Sequence, residues 1–192
     1  MQFDALGWCD LARKIKSPNC DERSVGMPVD MVVIHNIHLP PGQPFAGDDI
    51  QRLFTNTLDP NAHPDYAELA KLRVSAHFLI RRSGELLQFV PCSQRAWHAG
   101  VSSWQGRERC NDFSIGIELE GSDFLPFEAA QYLMLNTLLL ALAHNYPLEF
   151  VLGHSQIAPG RKTDPGPFFD WSHIALPQTL SEKSAALQKP AL

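Results

Sequence analysis

Residues 113–121 read FSIGIELEG. Phe113, Ile115, Ile117 and Leu119 alternate with Ser114, Gly116, Glu118 and Glu120, so one face is apolar and the carboxylates fall on the other. A strand of this kind needs neighbours in a sheet and a layer to cover it. The flanking sequence offers both. DMVVIHN (30–36) is a short β-branched run and reads as a buried strand ending at His35. SAHFLIRRSGELLQFVP (75–91) reads as a hairpin turning at Ser83-Gly84. LEFVLG (148–153) reads as another strand, and a long helix is expected from near Pro126 to about Asn145, with Pro147 at its exit. DDIQRLFTN (48–56) and FDWSHIALPQTL (169–180) suit short helices. The segments 57–73 and 94–112 read as irregular excursions, and long loops in a compact domain usually build a site. The fold class implied is α/β (α+β).

The 192 residues suit one domain, expected over 1–180, followed by a C-terminal tail, SEKSAALQKPAL (181–192), expected to be poorly ordered. The net charge of -5 argues against nucleic acid as the main partner, since phosphate binding wants a basic face. MQFDALGWCDLARK lacks the apolar run of a secretion signal. YLMLNTLLLALAH (132–144) is too short to span a bilayer and is interrupted by Asn136. Cys9, Cys20, Cys92 and Cys110 form no CxxC pair. These features lead us to expect a cytoplasmic protein with reduced thiols and no membrane partner.

GHSQIAPGRKTDPGP (153–167) carries three prolines and three glycines, which rule out a regular helix or central strand. It also carries His154, Lys162 and Asp164. With His35 at a strand end, two imidazoles and a carboxylate form a candidate zinc ligand set with a position open for water. Spacing alone does not separate such a set from surface histidines. Lys162 is either a solvated loop lysine or an ammonium aimed at an oxyanion. Glu118 is either part of a polar sheet face or a general base. His77 reads as structural, and His98 as either pocket wall or structural hydrogen-bond partner.

VVIHN, LRVSAHFLIRRSGELLQFVP, RAWHAGVSSWQGRERCNDFSIGIELEG and GHSQIAPGRKTDPGPFFDW together resemble the zinc-dependent N-acetylmuramoyl-L-alanine amidases. More narrowly they resemble the AmpD type, which acts on 1,6-anhydro-muropeptides in cell-wall recycling. The resemblance runs from about Leu6 to about Ser172. It implies a central mixed β-sheet flanked by helices, like phage-type amidases and peptidoglycan recognition proteins. It implies one Zn2+ per chain on His35, His154 and Asp164, with Glu118 and Lys162 as catalytic residues. It implies contacts to the muropeptide from Asn36, Arg73, Arg109 and the backbone at Ala158, and Trp97 is expected to wall the sugar. A monomer is expected. The chain departs from the type at Ser155, Gln156 and Gly160, where cysteine, aspartate and glutamate are usual. Ligands and Lys162 are unchanged, so activity is expected to survive. The alternative is a peptidoglycan-fragment-binding module of the same fold without chemistry.

Overall fold

The computed structural model describes residues 1–175. The expected tail, and the last five residues of the expected 1–180 domain, lie outside the described residues. In chain order the elements are β1 (Arg13–Lys14), β2 (Cys20–Glu22), β3 (Met31–Ile37), α1 (Asp49–Phe54), α2 (Tyr66–Leu69), β4 (Phe78–Ile80), β5 (Leu86–Gln88), β6 (Gln94–Ala96), β7 (Ser103–Trp104), β8 (Arg107–Glu108), β9 (Ser114–Glu120), α3 (Ala129–Asn145), β10 (Phe150–Gly153) and α4 (His154–Ile157).

Six strands form one mixed sheet in the order β1-β5-β4-β9-β3-β10. The β4–β5 hairpin is antiparallel, and every other pair in this sheet is parallel. All seven residues of β9 are buried, as expected of a central strand covered on both sides. Ile115, Ile117 and Leu119 share one core with Val32 and Ile34 of β3 and with Leu135, Leu138, Leu139 and Leu142 of α3. Met31 and Val33 pack in a separate core with Leu152 and Ile157. Alternation along β3 therefore carries His35 to the face away from α3.

The expected hairpin, central strands and long helix are all present. The segments expected to be irregular, 57–73 and 94–112, hold α2 and β6, β7 and β8, and four further differences appear. β3 continues two residues past His35, because β9 pairs with it as far as Ile37 and Glu120. The long helix begins at Ala129 instead of near Pro126, with the Glu128 N–H donating to Gln131 Oε1 at 3.0 Å at its start. Phe113 leaves the face of Ile115 and joins the core of Met31 and Val33. FDWSHIALPQTL supplies only a 3-10 turn at Trp171–His173 within the described residues.

Candidate metal centre

The parallel register of β3 and β9 sets His35 beside Glu118. Residues paired in this way project from the same face of a sheet. His154 comes next, as the first residue of α4 directly after β10; the stretch expected to hold no regular helix thus begins with one helical turn, which ends before Pro159. The start of this turn is held by Gln156, whose Oε1 accepts the Gly153 N–H at 2.7 Å. The neutral Gln156 therefore has a backbone to cap. Asp164 arrives on the Pro/Gly loop, tied back where the Ser155 N–H donates to its carbonyl at 2.9 Å. A methyl group on Gly153 would lie 2.7 Å from Pro165 Cδ, so glycine lets the loop lie against the strand end. Gly160 turns the loop at φ 74, where a glutamate would be strained.

Three ligand atoms converge. His35 Nδ1 is 3.0 Å from His154 Nδ1 and 2.9 Å from Asp164 Oδ2, and the latter two are 3.0 Å apart. His35 and His154 are buried, and the Asp164 side chain keeps only 14% exposure. Tetrahedral ligand atoms about 2.1 Å from one ion lie about 3.4 Å apart, so the triangle is within a few tenths of an ångström of a zinc site.

The protons strengthen this reading. His154 Nε2 is 3.0 Å from the Ala99 carbonyl oxygen, which can only accept. A proton on Nε2 satisfies that carbonyl and leaves the Nδ1 lone pair facing His35 and Asp164, with Arg161 Nη2 3.4 Å from the same Nε2. His35 Nε2 is likewise engaged away from the triangle, 3.0 Å from His98 Nδ1. Burial pushes His35 down to about 4, a shift only partly offset by Asp164, so the ring is neutral near pH 7. Lone pairs crowded this closely repel one another unless a cation sits among them. The donor set fits a metal.

Glu118 is buried, and its Oε2 has no hydrogen-bond partner. Burial first, then repulsion from Asp164, raise its pKa well above the ordinary carboxylate range, while Lys162 pulls the other way. Lys162 is exposed and borders an open cavity of about 500 Å³ with Asn36, Asp123, Phe124, Arg161 and Asp164. The ligands, Glu118 and Lys162 thus gather at one end of β3, β9 and β10.

The expected substrate residues are placed less uniformly. Asn36 lines the cavity, donating to Asp123 Oδ1 at 2.7 Å and to the Pro165 carbonyl at 3.0 Å. Arg109 and Ala158 line a second groove of about 580 Å³, and Arg161 borders both depressions. Arg109 is exposed, with φ 59 and an ion pair to Asp112 at 3.4 Å. Arg73 is exposed and turns Nη1 onto the carbonyls of Ala70, Lys71 and Leu72 at 3.1–3.3 Å. Trp97 is half-buried beside Ser75, whose Oγ accepts its backbone N–H at 3.2 Å. Arg73 and Trp97 line neither depression.

Residue patterns alone missed Arg161 and Asp123. Arg161 Nη2 donates to the carbonyls of Ala99 and Val101 at 2.8 and 2.6 Å, bracing the carbonyl that holds His154. Its place beside Lys162 was the available signal. His77 is structural as expected, and His98 engages both ring nitrogens while staying partly exposed. Cys9, Cys20, Cys92 and Cys110 are all free. Among the described residues, no helix is long and apolar enough to cross a membrane.

Comparison with known proteins identifies the family. Residues 25–167 match the N-acetylmuramoyl-L-alanine amidase family model. The 1,6-anhydro-N-acetylmuramyl-L-alanine amidase AmpD of Citrobacter freundii is 58% identical over 170 residues, covering 88% of this chain and 90% of that protein. A crystal structure of a selenomethionine AmpD derivative superposes with a TM-score of 0.87 at 53% identity, covering 96% of this chain and 99% of that one. The Escherichia coli amidase AmiD superposes with a TM-score of 0.57 at 31% identity, covering 85% of this chain and 60% of that one. It was solved with the substrate anhydro-N-acetylmuramic acid-L-Ala-D-gamma-Glu-L-Lys. The expected amidase fold is borne out.

Proposed function

This chain belongs to the N-acetylmuramoyl-L-alanine amidase family and is an amidase, and from that premise we propose that it cleaves the amide between 1,6-anhydro-N-acetylmuramic acid and L-alanine of muropeptides. The reaction serves peptidoglycan recycling in the cytoplasm, and the enzyme works as a monomer with one zinc ion on His35, His154 and Asp164. The observation that carries the reading is the convergence of His35 Nδ1, His154 Nδ1 and Asp164 Oδ2 within 3.0 Å, with both ring protons engaged elsewhere. The AmpD relatives are named for this substrate, and AmiD was solved with a muropeptide of this class.

Zinc, when bound, supplies a Lewis acid and a water whose pKa falls toward about 7. The remaining work belongs to the side chains. Glu118 takes the proton of the attacking water and passes one to the departing L-alanine amine. A carboxylate whose pKa is raised by burial suits both transfers, and a cation at the ligands brings its affinity for protons back down. Lys162, at the rim of the cavity, faces the charge that develops on the carbonyl oxygen. Asn36 and Arg161 line the cavity around the sugar and lactyl group. Arg109 and the Ala158 backbone meet the stem peptide in the adjoining groove. Arg73 and Trp97 join the substrate from the surrounding loops, Arg73 by exchanging its backbone carbonyls for a substrate carboxylate.

The test is incubation of the pure protein with anhydro-muramyl-tripeptide, with and without a chelator, followed by mass spectrometry. Free anhydro-muramic acid and intact tripeptide are expected, lost with chelator and restored by zinc. Unchanged substrate in zinc-replete protein would reduce the site to a binding surface. Cleavage inside the stem peptide would make the protein a peptidase.

A further inference from the structure

We propose that His98 is a positioning residue that determines which nitrogen of His35 faces the metal, through a hydrogen-bond chain anchored on the Cys110 backbone carbonyl. The inference rests on the metal reading above and concerns only residues of this chain.

The argument follows one proton at a time. Ser114 Oγ lies 2.5 Å from the Cys110 carbonyl oxygen. A carbonyl oxygen only accepts, so the hydroxyl proton lies between these two atoms. Ser114 Oγ then has no proton left for His98 Nε2, 3.2 Å away, and must accept from it. A neutral His98 that carries its proton on Nε2 presents a bare Nδ1. His35 Nε2 stands 3.0 Å from that Nδ1 and is therefore the donor. With its proton on Nε2, His35 turns a bare Nδ1 toward His154 and Asp164. Reversing any link would place two protons, or none, between a pair of atoms at hydrogen-bond distance.

Packing holds the relay in place. A methyl group on Gly116 would lie 2.4–2.6 Å from three atoms of the His98 ring, so the ring rests directly on that residue. Ser114 and Gly116 alternate with Ile115 and Ile117, so they share the β9 face that carries Glu118. From the other side, Asn111 Oδ1 accepts the backbone N–H groups of His98 and Ala99 at 3.1 and 2.8 Å. Asn111 thus ties the His98 relay to the Ala99 carbonyl that orients His154. One loop fixes the tautomer of both histidine ligands. His154 is fixed by a carbonyl that cannot change role, and His35 by an imidazole that depends on Ser114.

The test compares wild type with His98→Leu, His98→Asn and Ser114→Ala. Zinc affinity is read by chelator competition, and the melting temperature of each metal-free protein reports its folding. Partners behind a ligating histidine typically govern affinity by about 10–100-fold. His98→Leu is expected to weaken zinc binding by about that factor. His98→Asn should recover most of it, because its amide oxygen can stand where Nδ1 accepts. Ser114→Ala should lose about several-fold. Nitrogen-15 spectra of histidine-labelled wild type should show the His35 proton on Nε2, with and without zinc. Wild-type affinity in a folded His98→Leu variant, or a His35 proton on Nδ1, would overturn the inference. Should His98→Leu not fold, Ser114→Ala and the wild-type spectrum decide. A wild type without zinc affinity would overturn the metal reading itself.

Discussion

His35 and His77 are both fully enclosed imidazoles, and burial drives both to low pKa, to about 4 and about 3. One belongs to the candidate metal centre and the other does not, so burial and pKa do not tell them apart. The lone pairs do. His77 Nδ1 accepts the Gly116 N–H at 3.0 Å, and its Nε2 stands 3.1 Å from the Gln94 carbonyl. Arg23 Nη2 packs 3.0 Å from the same Nε2, and Arg23 sends its hydrogen bonds to the carbonyls of Cys92, Asn111, Asp112 and Ser114. Around His77 each acceptor has a donor. Around His35, His154 and Asp164 the acceptors face one another. A structural histidine closes its own hydrogen-bond ledger, whereas a ligating one leaves a lone pair aimed at others.

The strongest way to break this contrast is ligand removal. His154→Ala is expected to lose zinc from near one equivalent to near none, and turnover with it, measured by metal analysis of purified protein. Stoichiometric zinc in that variant would remove His154 from the ligand set. Within the site, Lys162→Ala and Glu118→Ala should keep zinc while kcat falls about 10²–10³-fold, the usual loss when one group acting on the transition state is removed. Full activity in either would take that residue out of the mechanism.

His77→Gln tests the other side. It leaves the Gly116 N–H unpaired, so it should cost about 1–3 kcal/mol by denaturant unfolding, with zinc stoichiometry unchanged. Zinc loss without destabilisation would abolish the distinction. The subtlest readout is the slope of stability against pH. The folded-state pKa of His77 lies near 3, below the 6.5 of an unperturbed histidine, so below pH 6.5 the unfolded chain binds a proton that the folded one refuses. Stability of the metal-free protein should therefore fall as pH drops from about 6.5 toward 3, by up to about 1.4 kcal/mol per pH unit for this ring. His77→Gln should flatten the slope by about one proton. Equal slopes in wild type and variant would mean that His77 titrates normally.

Particular stretches show why some of the architecture was legible. β9 announces itself by strict alternation, β3 by a short β-branched run, and α3 by a long apolar stretch bounded by Pro126 and Pro147. β1 and β7 do not, being two residues each. Arg13–Lys14 is a strand only because the edge of β5 offers hydrogen-bond partners to it. Glu118 was ambiguous in sequence because its polar face reads the same whether it meets water or a buried site. His98 was ambiguous because its role depends on Ser114 and Cys110, and nothing in a linear pattern says which way a hydroxyl points.

The sequence by itself determined the residue types: two histidines and an aspartate, a glutamate on an alternating strand, a lysine in a loop too rich in proline and glycine to be regular. It also determined the alternation of β9, the β-branched run of β3 and the proline-bounded apolar stretch of the long helix, since these are read from near neighbours along the chain. Only the tertiary structure decided the β3–β9 register that sets Glu118 beside His35, and the approach of Asp164 to histidines 10 and 129 residues away. It also decided which atoms face each ring nitrogen. These are outcomes of long-range pairing and hydrogen-bond direction, and each depends on atoms that the chain brings together only when it folds.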